Sequence, residues 1–271
     1  DIGAIVTKSI LLEPRSGRAT PRMAETPSGM LNSIGLQGPG IDQFIEDDLK
    51  WLEKNQVRTI VSIAGNNAEE FGRIAGKLRK VGENVVGIEV NISCPNVANR
   101  GLVFACQPES AHEVISIVRR TIGGSYPIFA KLSPDVTDIV SIAKAVVDAG
   151  ASGVSVINTL LGMVIDTQLM KPALAGVTGG LSGPAIRPVA VRAVWQIRQA
   201  FPDLPIIGMG GILSGNDAFE FVLAGANAFA IGTANFHDPS SISRIQSELA
   251  QILFERGFSS LQEAVSFAHR N

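Results

Sequence analysis

Seven short runs rich in Val, Ile and Ala constrain the fold of this chain more than any other feature. They lie at residues 2–7, 58–64, 85–91, 127–132, 153–158, 205–208 and 227–232. The runs are continuously apolar rather than alternating, which is the pattern of strands buried on both faces, as in a parallel sheet. Stretches of helical period occupy 41–54, 108–121, 137–149, 184–200, 214–224 and 239–256. In the first of these, Phe44, Ile45, Leu49 and Leu52 share one face. The second opens with Pro108 and Glu109, and the third begins at Thr137 as a cap and stops at Gly150. The order reads as seven β-then-α units, hence an α/β protein with a parallel sheet.

Seven units are one short of a (β/α)8 barrel. The expectation is a TIM barrel in a single domain, 1–271, whose first βα unit of about forty residues precedes Asp1. The rival is an open doubly wound sheet. That fold calls for a glycine fingerprint after the first strand, where Lys8-Ser9-Ile10 stands instead. Two connections, 9–40 and 160–183, are too long for simple βα loops. Both follow strand C-terminal ends, the face where barrels place their sites.

Composition narrows the function. A net charge of -2 with no Lys/Arg cluster among aromatics excludes a generally basic nucleic-acid binder. The 2 cysteines, Cys94 and Cys106, make no disulfide framework and fit a reducing cytoplasm. No apolar run reaches the ~18 residues of a membrane span. His112, His237 and His269 are far apart and no HxxxH or CxxC spacing occurs, so no metal is expected. A Ser-His-Asp site has no supporting GxSxG.

Polar residues gather at strand ends: Lys8 on the first, Asn91 and Cys94 on the third, Lys131 on the fourth, Asn158 and Thr159 on the fifth. Each alone reads more readily as a solvated strand end; together, in a barrel, they converge on one mouth. Glycines mark the last two strands, at Gly208-Met209-Gly210-Gly211 and Gly232-Thr233, and Ser182-Gly183 precedes a helix. Such loops bind phosphate through backbone N–H groups, and otherwise are ordinary tight turns. The segment Asn91-Ile92-Ser93-Cys94-Pro95-Asn96 sets two amides around a thiol. Amides suit a ligand with imide edges. Cys94 reads as a nucleophile or base, or as a small buried residue, and Cys106 as structural.

These segments resemble the dihydroorotate dehydrogenase family, and in particular its class 1B, NAD-linked catalytic subunits. The resemblance covers essentially the whole chain. It runs through Gly3-Ala4-Ile5-Val6-Thr7-Lys8-Ser9, Leu12-Glu13-Pro14-Arg15, and Gly29-Met30-Leu31-Asn32-Ser33-Ile34-Gly35-Leu36-Gln37. It continues through the Asn91 to Asn96 segment, Lys131-Leu132-Ser133-Pro134 and Ile157-Asn158-Thr159-Leu160-Leu161-Gly162-Met163. Gly179-Gly180-Leu181-Ser182-Gly183-Pro184, the Gly208 to Gly211 run and Gly232-Thr233-Ala234-Asn235-Phe236 complete it. Arg100 and Ala105-Cys106-Gln107 depart from the family pattern.

The resemblance implies an FMN-binding barrel that oxidises (S)-dihydroorotate to orotate in pyrimidine synthesis. It places Cys94 as the base at C5, with hydride passing from C6 to FMN. Substrate positions are Lys8, Asn32, Ser33, Ile34, Gly35, Leu36, Asn91, Asn96, Asn158 and Thr159. FMN positions are Lys8, Ser9, Asn91, Lys131, Ile157, Gly183, Gly210, Gly211, Gly232 and Thr233. It also implies a homodimer within a heterotetramer, whose second subunit carries FAD and a 2Fe-2S cluster and passes electrons to NAD. Two rivals remain: a barrel that reduces pyrimidines, against which the 12–15 and 160–163 segments speak, and a catalytically dead binding subunit, against which Cys94, Lys131 and Asn158 speak.

Overall fold

The structure is a computed structural model and describes residues 2–93 and 107–270. Strand β1 is Ile5–Val6; the long connection after it holds β2 (Met23–Thr26) and β3 (Gly29–Asn32). The first helix runs as α1 (Ile41–Phe44), a π-helical turn over Ile45–Leu49, and α2 (Lys50–Lys54). There follow β4 (Thr59–Ile63), α3 (Ala68–Lys77), β5 (Val85–Asn91), α4 (Pro108–Ile122), β6 (Ile128–Leu132), α5 (Ile139–Asp148) and β7 (Gly153–Val156). The second long connection holds β8 (Leu160–Gly162), β9 (Ile165–Asp166), β10 (Lys171–Pro172) and β11 (Gly179–Ser182). The chain closes with α6 (Arg187–Ala200), β12 (Ile206–Met209), α7 (Gly215–Ala224), β13 (Ala228–Ala230), α8 (Ala234–His237), α9 (Ser241–Glu255) and α10 (Leu261–Ala264).

All seven apolar runs are strands of one parallel sheet, in the order β1-β4-β5-β6-β7-β12-β13. Helices cover its outer face, and the sheet curls, as in a TIM barrel. The two end strands, β1 and β13, border a common apolar cleft of about 570 Å³ lined by Ile5, Ile60, Ile207 and Phe229. Among the described residues they are not hydrogen-bonded to each other. The core between sheet and helices is apolar: Val61, Ile63, Ile88, Val90, Ile128 and Ala130 are fully buried. The starts of α3, α5, α7 and α10 are capped by short polar side chains. Ser214 and Asp217 form a reciprocal capping box on α7. On α5 the cap is Asp138, one residue beyond the Thr137 expected from sequence, because its carboxylate reaches the N–H groups of Val140 and Ser141.

Two features depart from the sequence reading. Helix α3 has no counterpart among the helical stretches read from the sequence; it buries Phe71, Ile74 and Ala75, and Asn67 caps it by accepting from the Glu70 N–H. The long connections are not irregular loops. Four of their strands form one antiparallel sheet in the order β2-β3-β11-β8, with Asn32 opposite Gly180 and Leu31 opposite Leu181, and β9 and β10 pair with each other. This small sheet fixes the segment after β3 above the strand ends.

Arg198 ties the last third of the fold together. It is 5% exposed, and its guanidinium donates to the Gly225 carbonyl (2.7 and 3.0 Å), the Phe201 and Pro202 carbonyls and Asn227 Oδ1 (2.7 Å). Asn227 Oδ1 also accepts from the Ile206 N–H at 2.9 Å, so one side chain spans α6, the end of α7 and the start of β12. Arg198→Met keeps the stem and strands these buried acceptors. It is expected to cost about 3 kcal/mol, read as a lowered urea midpoint at unchanged slope.

Candidate active site

The parallel register decides which side chains face inward. Ser62 on β4 lies opposite Glu89 on β5, and Asn91 opposite Lys131 on β6. Side chains alternate along a strand, so Glu89 and Asn91 share one face and Ile88 and Val90 the other. The result is a polar row on the inner face at the C-terminal ends of the strands. Lys131 Nζ sits 3.5 Å from Glu89 Oε1, which also accepts from Ser62 Oγ at 3.0 Å. Ser62 Oγ is 3.0 Å from Ser9 Oγ, and Ser9 Oγ accepts from Asn91 Nδ2 at 2.8 Å. Asn91 Oδ1 accepts from Ser93 Oγ (3.0 Å) and Asn158 Nδ2 (3.2 Å). Asn158 Nδ2 also reaches Ser93 Oγ at 2.7 Å, and its Oδ1 accepts from the Thr159 N–H at 2.8 Å.

These groups floor a cavity of about 370 Å³, within the range that holds small ligands and cofactors. A second wall is bare backbone. Strands β12 and β13 pair with Met209 opposite Ala230, so Gly210-Gly211 and Gly232-Thr233 emerge side by side and both line the cavity. Gly211 has φ +80, and a Cβ there would lie 2.7 Å from the Gly183 carbonyl oxygen. Backbone meets backbone at that point, and no side chain separates the N–H groups from the cavity. The third wall is the turn after β3, where Gly35 (φ +82) and Leu36 (φ +56) bring the chain over the mouth.

Of the residues singled out in the sequence, Lys8, Ser9, Asn32, Ile34, Gly35, Leu36, Asn91, Lys131, Ile157, Asn158, Thr159, Gly183, Gly210, Gly211, Gly232 and Thr233 all line this one cavity. Ser33 does not. Its side chain is fully buried beside Gly176, on the far side of the turn. Cys94, Asn96, Arg100 and Cys106 lie outside the described residues. Ser182, of the Ser182-Gly183 pair, lines the cavity as well, and so do Ser62 and Glu89, although no sequence motif marks these two as ligand positions. For Glu89 a signal is present: a carboxylate inside an apolar run, two residues before Asn91 and therefore on its face.

Two ammonium groups, Lys8 and Lys131, face one carboxylate, Glu89, across amides and apolar walls such as Ile157 and Ile212. Glu89 is the one acid among the described lining residues. No cluster of three metal-ligating side chains occurs among the described residues, and no helix among them is long and apolar enough to cross a membrane. The chemistry on offer is the binding of an anionic, amide-edged ligand against a phosphate-accepting backbone.

The family model for dihydroorotate dehydrogenase matches residues 1–253. The chain belongs to the dihydroorotate dehydrogenase family. It is 53% identical over 264 residues to a protein of Geotalea daltonii, covering 97% of this chain and 85% of that one. A relative from Desulforamulus reducens is 50% identical over 268 residues, covering 99% and 87%. One from Anoxybacillus flavithermus is 48% identical over 270 residues, covering 100% and 85%. Each relative is named dihydroorotate dehydrogenase B (NAD(+)), catalytic subunit. Family membership assigns the curled parallel sheet to the TIM barrel class.

At the rim, Asp135 fastens the two parts of the mouth. Its carboxylate accepts from the Leu161 N–H (3.1 and 3.2 Å), joining the turn after β6 to β8. Burial raises its pKa above 3.8, against the opposing pull of the Leu161 and Ser133 hydrogen bonds. A raised native pKa means that the folded state binds more protons than the unfolded one between 3.8 and the native value. Stability from this group therefore falls as pH rises through that window. Asp135→Asn keeps an acceptor for Leu161 and removes the titration. Urea unfolding from about pH 3.5 to about pH 7 is expected to show the variant gaining on the parent as pH rises, with the gain levelling off once Asp135 is ionised.

Proposed function

We propose that this chain is a catalytic subunit that oxidises (S)-dihydroorotate to orotate in pyrimidine synthesis, an oxidoreductase acting on a CH–CH bond, with FMN held in the barrel mouth. The observation that carries the reading is the joining of Lys131, Asn91 and Asn158, from three successive strands, in one cavity that faces the bare Gly210-Gly211 and Gly232-Thr233 backbone. The residues fit FMN. The glycine loops offer N–H groups to its phosphate, and a Cβ at Gly211 would strike backbone. Lys131 offers positive charge to its ring, and Asn91 and Ser9 offer hydrogen bonds.

Toward the substrate, Lys8 balances the carboxylate. Asn32, Asn91, Asn96 and Asn158 match carbonyl and N–H edges of the imide-like ring, since an amide side chain supplies both donors and an acceptor. Cys94 takes the proton from C5. Its thiol needs a neighbour or alkaline pH to act, because a free thiol titrates near about 8.5. FMN, when bound, supplies the acceptor for the hydride at C6. Proton and hydride leave adjacent carbons, so the base and the flavin act from opposite faces of the substrate ring. Onward transfer to NAD belongs to a second subunit with FAD and a 2Fe-2S cluster. Two cysteines in this chain cannot supply four thiolates. We place the assembly, a homodimer within a heterotetramer, in the cytoplasm.

The test is anaerobic mixing of the yellow protein with dihydroorotate. Loss of the flavin bands together with orotate formation, and no bleaching by dihydrouracil, is the expected outcome; bleaching by dihydrouracil alone would move the chain to pyrimidine reduction. Cys94→Ala is expected to slow bleaching by about 10²–10⁴-fold while leaving FMN bound, and Cys106→Ala to stay active. Gly211→Val is expected to purify nearly colourless, and a fully yellow protein would overturn the phosphate assignment.

A further inference from the structure

The hydrogen bonds on the cavity floor have a direction, and one charge sets it. A carboxylate only accepts, so Ser62 spends its single hydroxyl proton on Glu89 Oε1. Ser62 Oγ must then accept from Ser9, and Ser9, its own proton spent, must accept from Asn91 Nδ2. That fixes the Asn91 amide with its nitrogen toward Ser9 and its oxygen toward Ser93 and Asn158. Ser93 donates to Asn91 and so accepts from Asn158 Nδ2, which turns the Asn158 oxygen to the Thr159 N–H. Were either amide reversed, two donors or two acceptors would face each other inside a buried row, at the desolvation cost of an unmade hydrogen bond.

Glu89 is suited to this task. It is 2% exposed, and a charge so placed is tolerable only with partners, here Lys131 and Ser62. The expected ligand side of the cavity begins at Asn91, two residues along the same strand face.

We propose that Glu89 is a positioning residue: acting through Ser62 and Ser9, its carboxylate sets which way the amides of Asn91 and Asn158 present their donors and acceptors to the ligand. The proposal deepens the functional reading above, in which those two amides meet dihydroorotate. It predicts that the links of the chain act as one unit, so that breaking any of them has the same consequence as breaking several.

The experiment compares Ser62→Ala, Glu89→Leu, which removes the acceptor, and the double variant with the parent protein. Ser62→Ala cuts the relay but leaves the Lys131–Glu89 pair, so it also covers the case in which Glu89→Leu does not fold. Orotate affinity, read from its perturbation of the flavin bands, is expected to fall about tenfold in each single variant and by the same factor in the double variant. Losses that multiply to about a hundredfold would overturn the relay, as would a parental affinity in Ser62→Ala. The second readout needs neither orotate nor FMN. In asparagine-labelled protein, with signals assigned from Asn91→Asp and Asn158→Asp, Ser62→Ala is expected to shift the side-chain amide resonances of both Asn91 and Asn158. An unmoved Asn158 signal would overturn the proposal. If the parent binds no orotate while both resonances shift, the functional reading fails and the relay stands.

Discussion

The site depends on strand register. Ser62, Glu89, Asn91 and Lys131 meet because β4, β5 and β6 pair with Ser62 opposite Glu89 and Asn91 opposite Lys131. The side-chain period of a strand is two, so a slip of one residue would send every one of these polar groups into the helix layer and bring Ile88 and Val90 into the mouth. The apolar cost of that exchange is large: Ile88 and Val90 are fully buried against helices, as are Val61 and Ala130 beside them. Burial of the outer face thus enforces the chemistry of the inner one. Stability and function are written on alternate residues of the same strands.

The mouth needs more than strand ends, and the two long connections supply it. Strands β3 and β11 lie far apart in the sequence and pair antiparallel, which sets the turn carrying Asn32, Gly35 and Leu36 against Thr159 and Gly183. Asp135 adds a bond from a barrel loop to β8, at the edge of the same small sheet. Irregular loops of this length would leave many backbone groups to solvent; pairing satisfies them and gives the rim a defined shape.

The seven parallel strands are legible in the sequence because each is a short, largely apolar run, the pattern of a sheet covered on both faces, with only isolated polar residues such as Ser62, Glu89 and Lys131. The lining of the mouth is legible in large part because polar residues stand at the ends of those runs. Other elements are hidden for physical reasons. Helix α3 contains Gly72, which weakens its helical signal. The glycine is there because a Cβ would lie 2.7 Å from Ile117 Cγ2 on α4, so the two helices pack closely at that point. Strands β2, β3, β8 and β11 are short, and the β3–β11 pairing joins segments far apart in sequence, so no local pattern announces this sheet. Ser33 sits between two lining residues, Asn32 and Ile34, in extended, paired backbone whose successive side chains point to opposite sides, so its hydroxyl faces away from the cavity. Glu89 is hard to find because a lone acid in an apolar strand gains meaning only when its face is compared with that of Asn91.

The cavity lining begins at Val6 and ends at Ala234, with contributions from β4, β5, β6 and the turns after β7, β11, β12 and β13. No short contiguous piece of the chain holds it. A ligand bound there therefore recognises the assembled barrel and has little affinity for any partly folded form. By mass action it stabilises the fold by RT ln(1 + L/Kd), where L is the free ligand concentration, a contribution that grows with the ligand's concentration and affinity. Occupancy of the mouth and integrity of the barrel become one equilibrium, so that a change far from the cavity, in a helix cap or at the Arg198 tie, registers as a weakened hold on whatever the mouth contains.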